Sequence, residues 1–282
     1  MTKLNQLLTG ILFLGATISN AQLKTPAPSP VQTIKQAFAL SEITIEYSRP
    51  SAKGRVVFGD LVPFDALWRT GANASTKITF GEDVKVEGNA VPAGTYALHT
   101  IPGKSEWTII LNKNLTNWGI DGYKQEEDLV RFKVKPTNSS NKVETLTFDI
   151  SNMSDNKTSV ELVWENTRVA FKVEAEIDSK IMKNIETAMA PDDKRPYFSA
   201  ARYYYENNKD LNSALTWVTK AAELNPKAYW VMLLKSKIQY SLKDFKGAGE
   251  SADKVIALAT EEKNDDYVKM GKEWKEKAAK GK

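Results

Sequence analysis

No cysteine occurs in the 282 residues, which removes disulfides, thiol catalysis, cysteine-ligated zinc and a lipid-modified cysteine at the start together. Histidine is almost as scarce. His99 is the single one, so any Ser-His-Asp triad must use it, and a multi-histidine metal site has no second member. Neither a G-x-S-x-G nucleophile elbow nor an ordered D-x-D-x-D-G calcium loop is present, and the acidic run EEDLV beginning at Glu126 lacks that spacing. No metal and no cofactor is expected. Long apolar runs are missing too: the stretch from Leu7 to Ile18 falls well short of the roughly 20 residues needed to span a bilayer. Charge of one sign is equally sparse. The part up to residue 176 holds 19 basic and 19 acidic residues, and the part after it 20 basic and 16 acidic. An excess of four, with Lys and Glu intermixed, is a solvated surface and not a nucleic-acid footprint, which needs a clustered basic stripe.

What is present begins with MTKLNQLLTGILFLGATISNA. Lys3 precedes the apolar run, and Ser19 and Ala21 close it with the small-residue spacing that a signal peptidase accepts. Residues 1–21 are therefore expected to be a secretory leader, and the protein periplasmic or secreted. Residues 22–30 carry Pro26, Pro28 and Pro30 and read as a stiff, extended linker. The remaining 252 or so residues, with ten Tyr, ten Phe and seven Trp in the whole chain, exceed one ordinary domain.

Periodicity divides that remainder. From residue 31 to 176 apolar residues recur mostly at every second position, as in Ile43, Ile45 and Tyr47, in Trp107, Ile109 and Leu111, and in Val169, Phe171 and Val173. About nine strands separated by turn signals such as EGN, PAG and PGK predict an all-β antiparallel sandwich, jelly-roll-like, with a closed barrel as the alternative. After residue 176 the period changes. Ile177, Ile181, Ile185 and Met189 fall on one helical face, with Pro191 ending the run. Lys209, Asp210, Leu211 and Ala214 then recur 34 positions later as Lys243, Asp244, Phe245 and Ala248, the repeat length of tetratricopeptide helix pairs. Residues 177–282 are predicted to form such a helical domain, with Pro226 opening a helix and a last helix from Asp265 to Ala279. The chain as a whole is then α+β.

The stretches KGRVVFGDLVPFDALWRTGAN and VPAGTYALHTIPGKSEWTIILNK resemble a family of exported bacterial domains of unknown function. The likeness covers roughly residues 31–174. It implies a β-domain followed by tetratricopeptide-like helices, and export, but no reaction, ligand or catalytic residue. His99 stands where an aromatic residue is expected, so a role for it would be peculiar to this chain.

Candidate sites follow from the first of those stretches. Arg55, Trp68, Arg69 and Asn73 form a proposed binding set: Trp68 offers a flat face to a sugar or ring, and the two arginines hold a carboxylate or phosphate by bidentate hydrogen bonds. The structural reading of the same residues makes Trp68 a core plug, Arg69 locally paired, Gly71 a positive-φ turn residue and Asn73 a turn former. Asp60, Asp65, Glu82 and Asp83 flank the cluster, and glycoside hydrolysis needs only two carboxyl groups at a suitable separation. NWGIDGY (117–123) reads as a glycine-punctuated loop held down by Trp118 and Tyr123. In the helical part Tyr204 falls off the buried face, where it can reach a partner. The leading expectation is an exported, non-enzymatic protein whose sandwich binds a small molecule, a glycan or an envelope protein. A carboxylate-dependent hydrolase of envelope glycans and a purely structural envelope component remain the alternatives.

Overall fold

The computed structural model describes residues 25–189 and 195–281. The expected leader, the start of the linker and Pro191 lie outside the described residues. Two compact units meet in sequence between Glu176 and Ile177.

The first unit holds β1 (Val31–Phe38), β2 (Ser41–Ser48), β3 (Thr76–Phe80), β4 (Val84–Val86), β5 (Asn89–Val91), β6 (Gly94–Ile101), β7 (Trp107–Asn112), β8 (Asp128–Val134), β9 (Thr137–Ser151) and β10 (Lys157–Ala175). All pair antiparallel, in two sheets ordered β1-β2-β3-β6-β7-β8 and β5-β4-β10-β9. The alternation in sequence becomes burial. Ile43, Ile45 and Tyr47 are almost wholly removed from water while Thr44 and Glu46 between them are not, and each such side chain contributes about 1.5–3 kcal/mol.

Two departures from the predicted strands have physical causes. The runs at Val160–Trp164 and Val169–Val173 are one strand, β10, kinked by register shifts around Glu165, which sits at φ 50°; a bulge bends a strand without ending it. β1 carries Gln32 and Gln36 among its half-buried positions and so lacks a clean apolar alternation. As the edge of its sheet it does not need one.

The two sheets meet through ring contacts. Tyr47 of β2 lies edge-on to Phe148 of β9 with centroids 4.8 Å apart, and Phe132 of β8 meets Phe171 of β10 at 5.7 Å. The Tyr47 hydroxyl accepts the Phe148 N–H at 3.0 Å and donates to Gln32 at 2.7 Å. At one end, Trp68 stacks on Trp164 at 6.0 Å and Phe58 sits edge-on to Trp68, Trp107 and Trp164. This plug draws loop residues 58 and 68 into contact with both sheets.

The second unit contains α1 (Asp178–Ala188), α2 (Tyr197–Glu206), α3 (Leu211–Leu224), α4 (Tyr229–Ser241), α5 (Phe245–Glu261) and α6 (Asp265–Lys280). Asp210 and Asp244, the positions matched at the 34-residue offset, each cap a helix: Asp210 accepts the N–H of Asn212 and Ser213, and Asp244 that of Gly247. Ala214 and Ala248 are fully buried, as close helix crossings require. Pro226 does not open α4, which begins three residues later at Tyr229. Tyr204 does not leave the packed face either. It is half-buried against Trp217, ring centroids 4.7 Å apart, beside the cluster formed by Val218, Leu234 and Ile238.

Trp164→Ala, which empties the plug, is expected to cost the β unit about 3–5 kcal/mol, read as a lowered urea midpoint for the strand-rich transition of the full chain.

Candidate functional site

Trp68 and Arg69 are neighbours in sequence and part company in space. Trp68 exchanges both backbone hydrogen bonds with Thr100, at 2.8 and 2.9 Å, and so extends the six-stranded sheet by one bridge beside β6. Its indole goes inward, 8% exposed, and its Nε1–H is satisfied by the Gly71 carbonyl at 3.1 Å. Alternation then sends Arg69 to the opposite face of the sheet, the face of His99.

That outer face carries a row of polar groups set by register. His99 opposes Ile110, which opposes Arg131; Ala97 opposes Asn112, which opposes Asp128. The connection from β7 to β8, including NWGIDGY, folds over them. Asp128 is saturated: Asn112 donates to Oδ1 at 2.8 Å, Tyr123 donates to Oδ2 at 2.8 Å, and the Arg131 guanidinium pairs with Oδ2 and touches the Tyr123 hydroxyl. Burial, then the hydrogen bond to Asp128, pushes the Tyr123 phenol above its ordinary range. Tyr123 is what holds the loop down. Trp118, expected to help, is 65% exposed.

His99 is fully buried beneath this loop, its ring 5.2 Å from that of Tyr123. The Ser75 hydroxyl lies 2.8 Å from the Gly119 carbonyl and 3.2 Å from His99 Nε2. A carbonyl only accepts, so the hydroxyl hydrogen goes to Gly119 and the network assigns the proton on Nε2, donating to Ser75. This is the reverse of a nucleophile–base pair, in which the serine would donate to the imidazole. His99 Nδ1 is left buried without a partner. Burial also pushes the imidazole below its ordinary pKa, against the weaker opposing pull of the Ala97 carbonyl, the Asp128 carboxylate and the Gly119 carbonyl.

Two more buried nitrogens border the same loop without a hydrogen-bond partner, Arg69 Nε and Asn117 Nδ2. Among the described residues such atoms number four, and three of them gather here; buried polar groups are normally paired, so a concentration of exceptions marks a place built for something else. Gly119 makes the approach possible. At φ 71°, with a hypothetical Cβ only 2.5 Å from Arg69 Nη1, it lets the guanidinium lie against the loop backbone. Arg69 has neither an ion pair nor a side-chain hydrogen bond among the described residues, so the local pairing of the structural reading is absent.

The other members of the predicted set are engaged. Arg55 donates to the carbonyls of Ala52 and Ser51, both at 2.9 Å, tying off its own loop. Asn73, at φ 60°, donates to Ser48 Oγ at 3.2 Å. Gly71 does not take the positive φ expected of it; Thr70 and Asn73 do, and Gly71 serves close approach, since a Cβ there would lie 3.1 Å from the Ser48 carbonyl. The flanking carboxylates Glu82 and Asp83 accept the backbone N–H of Leu40 and Ala93. Among the described residues no three His, Cys, Asp or Glu side chains are grouped to hold a metal ion, and Glu127 instead accepts from Asn114 at 3.1 Å.

With the geometry in place, comparison with family models gives one match: residues 29–173 match the family described as a protein of unknown function, DUF2911. The chain belongs to that family. Neither the curated proteins nor the solved structures yield a match. The DUF2911 region spans the β unit, including the outer-face groups and the aromatic plug. Sequence reasoning singled out Arg69 but missed Asn117 and Ser75, which single-residue patterns do not mark; the glycines of NWGIDGY were the available signal.

The depressed imidazole pKa has a sign. The unfolded chain binds a proton at His99 near pH 6.5 while the folded chain does not, so stability falls as pH drops below about 6.5, by up to about 1.4 kcal/mol per unit until the folded pKa is passed. His99→Gln is expected to remove that component, seen as a shallower pH dependence of the urea midpoint between about pH 6.5 and 5 relative to the unaltered chain.

Proposed function

We propose that the protein is an exported binding protein whose β unit captures a ligand through an anionic group, a carboxylate or phosphate, held by Arg69. The observation that carries this reading is the state of Arg69: a guanidinium with Nε buried and no acidic partner, lying against a glycine backbone beside Asn117. An unpaired, partly buried cation costs stability, and retaining one is rational where a ligand completes the pair. Guanidinium is also the side chain best matched to planar carboxylate and phosphate oxygens. A water molecule would supply hydrogen bonds to Asn117 and His99 but not the missing charge. Trp68, Asn73 and Arg55 act in this reading by holding the loop that presents Arg69.

Export rests on the leader-like pattern of residues 1–21. The helical unit, with its equivalent caps at Asp210 and Asp244, is assigned as a short tetratricopeptide-like array that supports the binding unit or contacts an envelope partner. Asp128, the carboxylate beside His99, is already bonded to Asn112, Tyr123 and Arg131, and the tautomer assigned to His99 leaves Nε2 unable to take a proton from Ser75, which weighs against the hydrolase alternative at this site.

Thermal-shift measurements on the full chain at constant ionic strength test the reading, with inorganic phosphate and succinate as probes. At ten times its Kd a bound probe is expected to add about 1.4 kcal/mol to stability. Arg69→Gln is expected to abolish that gain while leaving the probe-free stability within about 0.5 kcal/mol of the original. A gain that survives the substitution, the absence of any gain with either probe, or a large loss of stability in Arg69→Gln would each overturn it.

A further inference from the structure

A second set of residues from the stretches singled out in the sequence converges elsewhere, at the end of the sandwich closed by the aromatic plug. Phe58 from the KGRVVFGD loop, Phe64 from PFDALW, and Lys104 and Trp107 from PGKSEW line a cleft of about 430 Å³. Its far wall is the start of β9 and the bulge of β10, where Asn138 opposes Thr167. The cleft is separate from the Arg69 site: none of Arg69, His99 and Asn117 lines it.

The bulge explains why the cleft exists. Glu165, at φ 50° between the two register shifts of β10, accepts the Val57 N–H at 2.9 Å and so ties the Phe58 loop across the sheet end. Phe58 is held edge-on to Trp107 at 4.9 Å, which fixes its ring at the cleft floor. Phe64, half-buried, forms the side nearest Lys104, whose Nζ is 5.9 Å from its ring centroid.

We infer that this cleft binds a neutral saccharide of one or two rings. Three features select that class. Phe58 and Phe64, both half-buried, offer aromatic surface at the floor and side, with Trp107 buried behind Phe58, and ring faces and edges pack well on the C–H surfaces of a pyranose. The far wall offers amide and hydroxyl groups, Asn138 and Thr167, and the exposed Asn138 side chain makes no hydrogen bond among the described residues, so its donors and acceptor are available to sugar hydroxyls. The charge at the rim is screened. Lys104 has no carboxylate partner among the described residues but is exposed to solvent, where salt weakens its field, and the Glu165 carboxylate is shared with Val57 N–H and with Lys142 at 3.4 Å. A volume near 430 Å³ stands at the small end of ligand pockets, which run from about 300 to 1,000 Å³.

The test is isothermal titration calorimetry of the full chain with four disaccharide-sized probes: cellobiose, maltose, N,N′-diacetylchitobiose and, as an anionic counterpart, cellobiouronic acid. At least one neutral probe is expected to bind. Phe64→Ala and Asn138→Ala, both outside the packed core, are each expected to weaken it about tenfold, the equivalent of about 1.4 kcal/mol, while Arg69→Gln leaves it unchanged. Circular dichroism confirms that each variant is folded. Failure of all neutral probes at roughly 20 mM, which places any Kd above the millimolar range, overturns the inference. So does binding that ignores both cleft substitutions, or tighter binding of the uronic acid than of its neutral parent. Because Arg69→Gln belongs to the other site, loss of one binding activity leaves the other interpretable.

Discussion

The aromatic plug is the constraint on which the two candidate surfaces of the β unit depend. Two sheets can bury their inner faces against each other without it, as the Tyr47–Phe148 and Phe132–Phe171 contacts do further along. The plug, however, brings loop side chains into contact with both sheets. Trp68 stacked on Trp164, with Phe58 edge-on to both, anchors the long connection between β2 and β3 at two points at the end of the sandwich. Aromatic pairs of this kind add about 0.5–1.5 kcal/mol each beyond the area that they bury. The energy is enough to hold irregular backbone in place, including the positive-φ residues Thr70 and Asn73.

From that anchoring, one dipeptide serves two purposes. The bridge between Trp68 and Thr100 continues strand geometry for a single residue pair, and strand geometry alternates sides. Trp68 therefore secures the loop from inside while Arg69 emerges on the other face beside His99. The tighter Trp68 is held, the more narrowly Arg69 is positioned, so the structural role of one residue would be the condition for the binding role proposed for its neighbour.

Belonging to DUF2911 gives the β unit a family without giving it a reaction. What the fold adds is where the stretches singled out in the sequence come to lie. KGRVVFGD, PFDALW and PGKSEW meet around the terminal cleft, and WRTGAN and YALH meet on the outer face beneath the β7–β8 connection. Within them Arg55 ends with its guanidinium bonded to two carbonyls, while Arg69 Nε and His99 Nδ1 are left buried without a partner.

Class and order of elements were legible in the sequence because they follow from local periods: alternation by two before residue 176 and a helical period after it, each written in which residues can be buried. The carboxylate caps Asp210 and Asp244 were legible for the same reason, since a cap acts within three residues. The joining of two predicted strands into β10 was hidden, because a bulge is a choice of partner register and not of composition. The site was legible only in part. Arg69 could be nominated from its loop, but that it would stand unpaired, that Trp68 would turn away from it, and that Ser75, His99 and Asn117 would gather beside it depend on contacts between segments up to about 50 positions apart. Such contacts are set by sheet register and loop closure, which no single stretch of chain encodes.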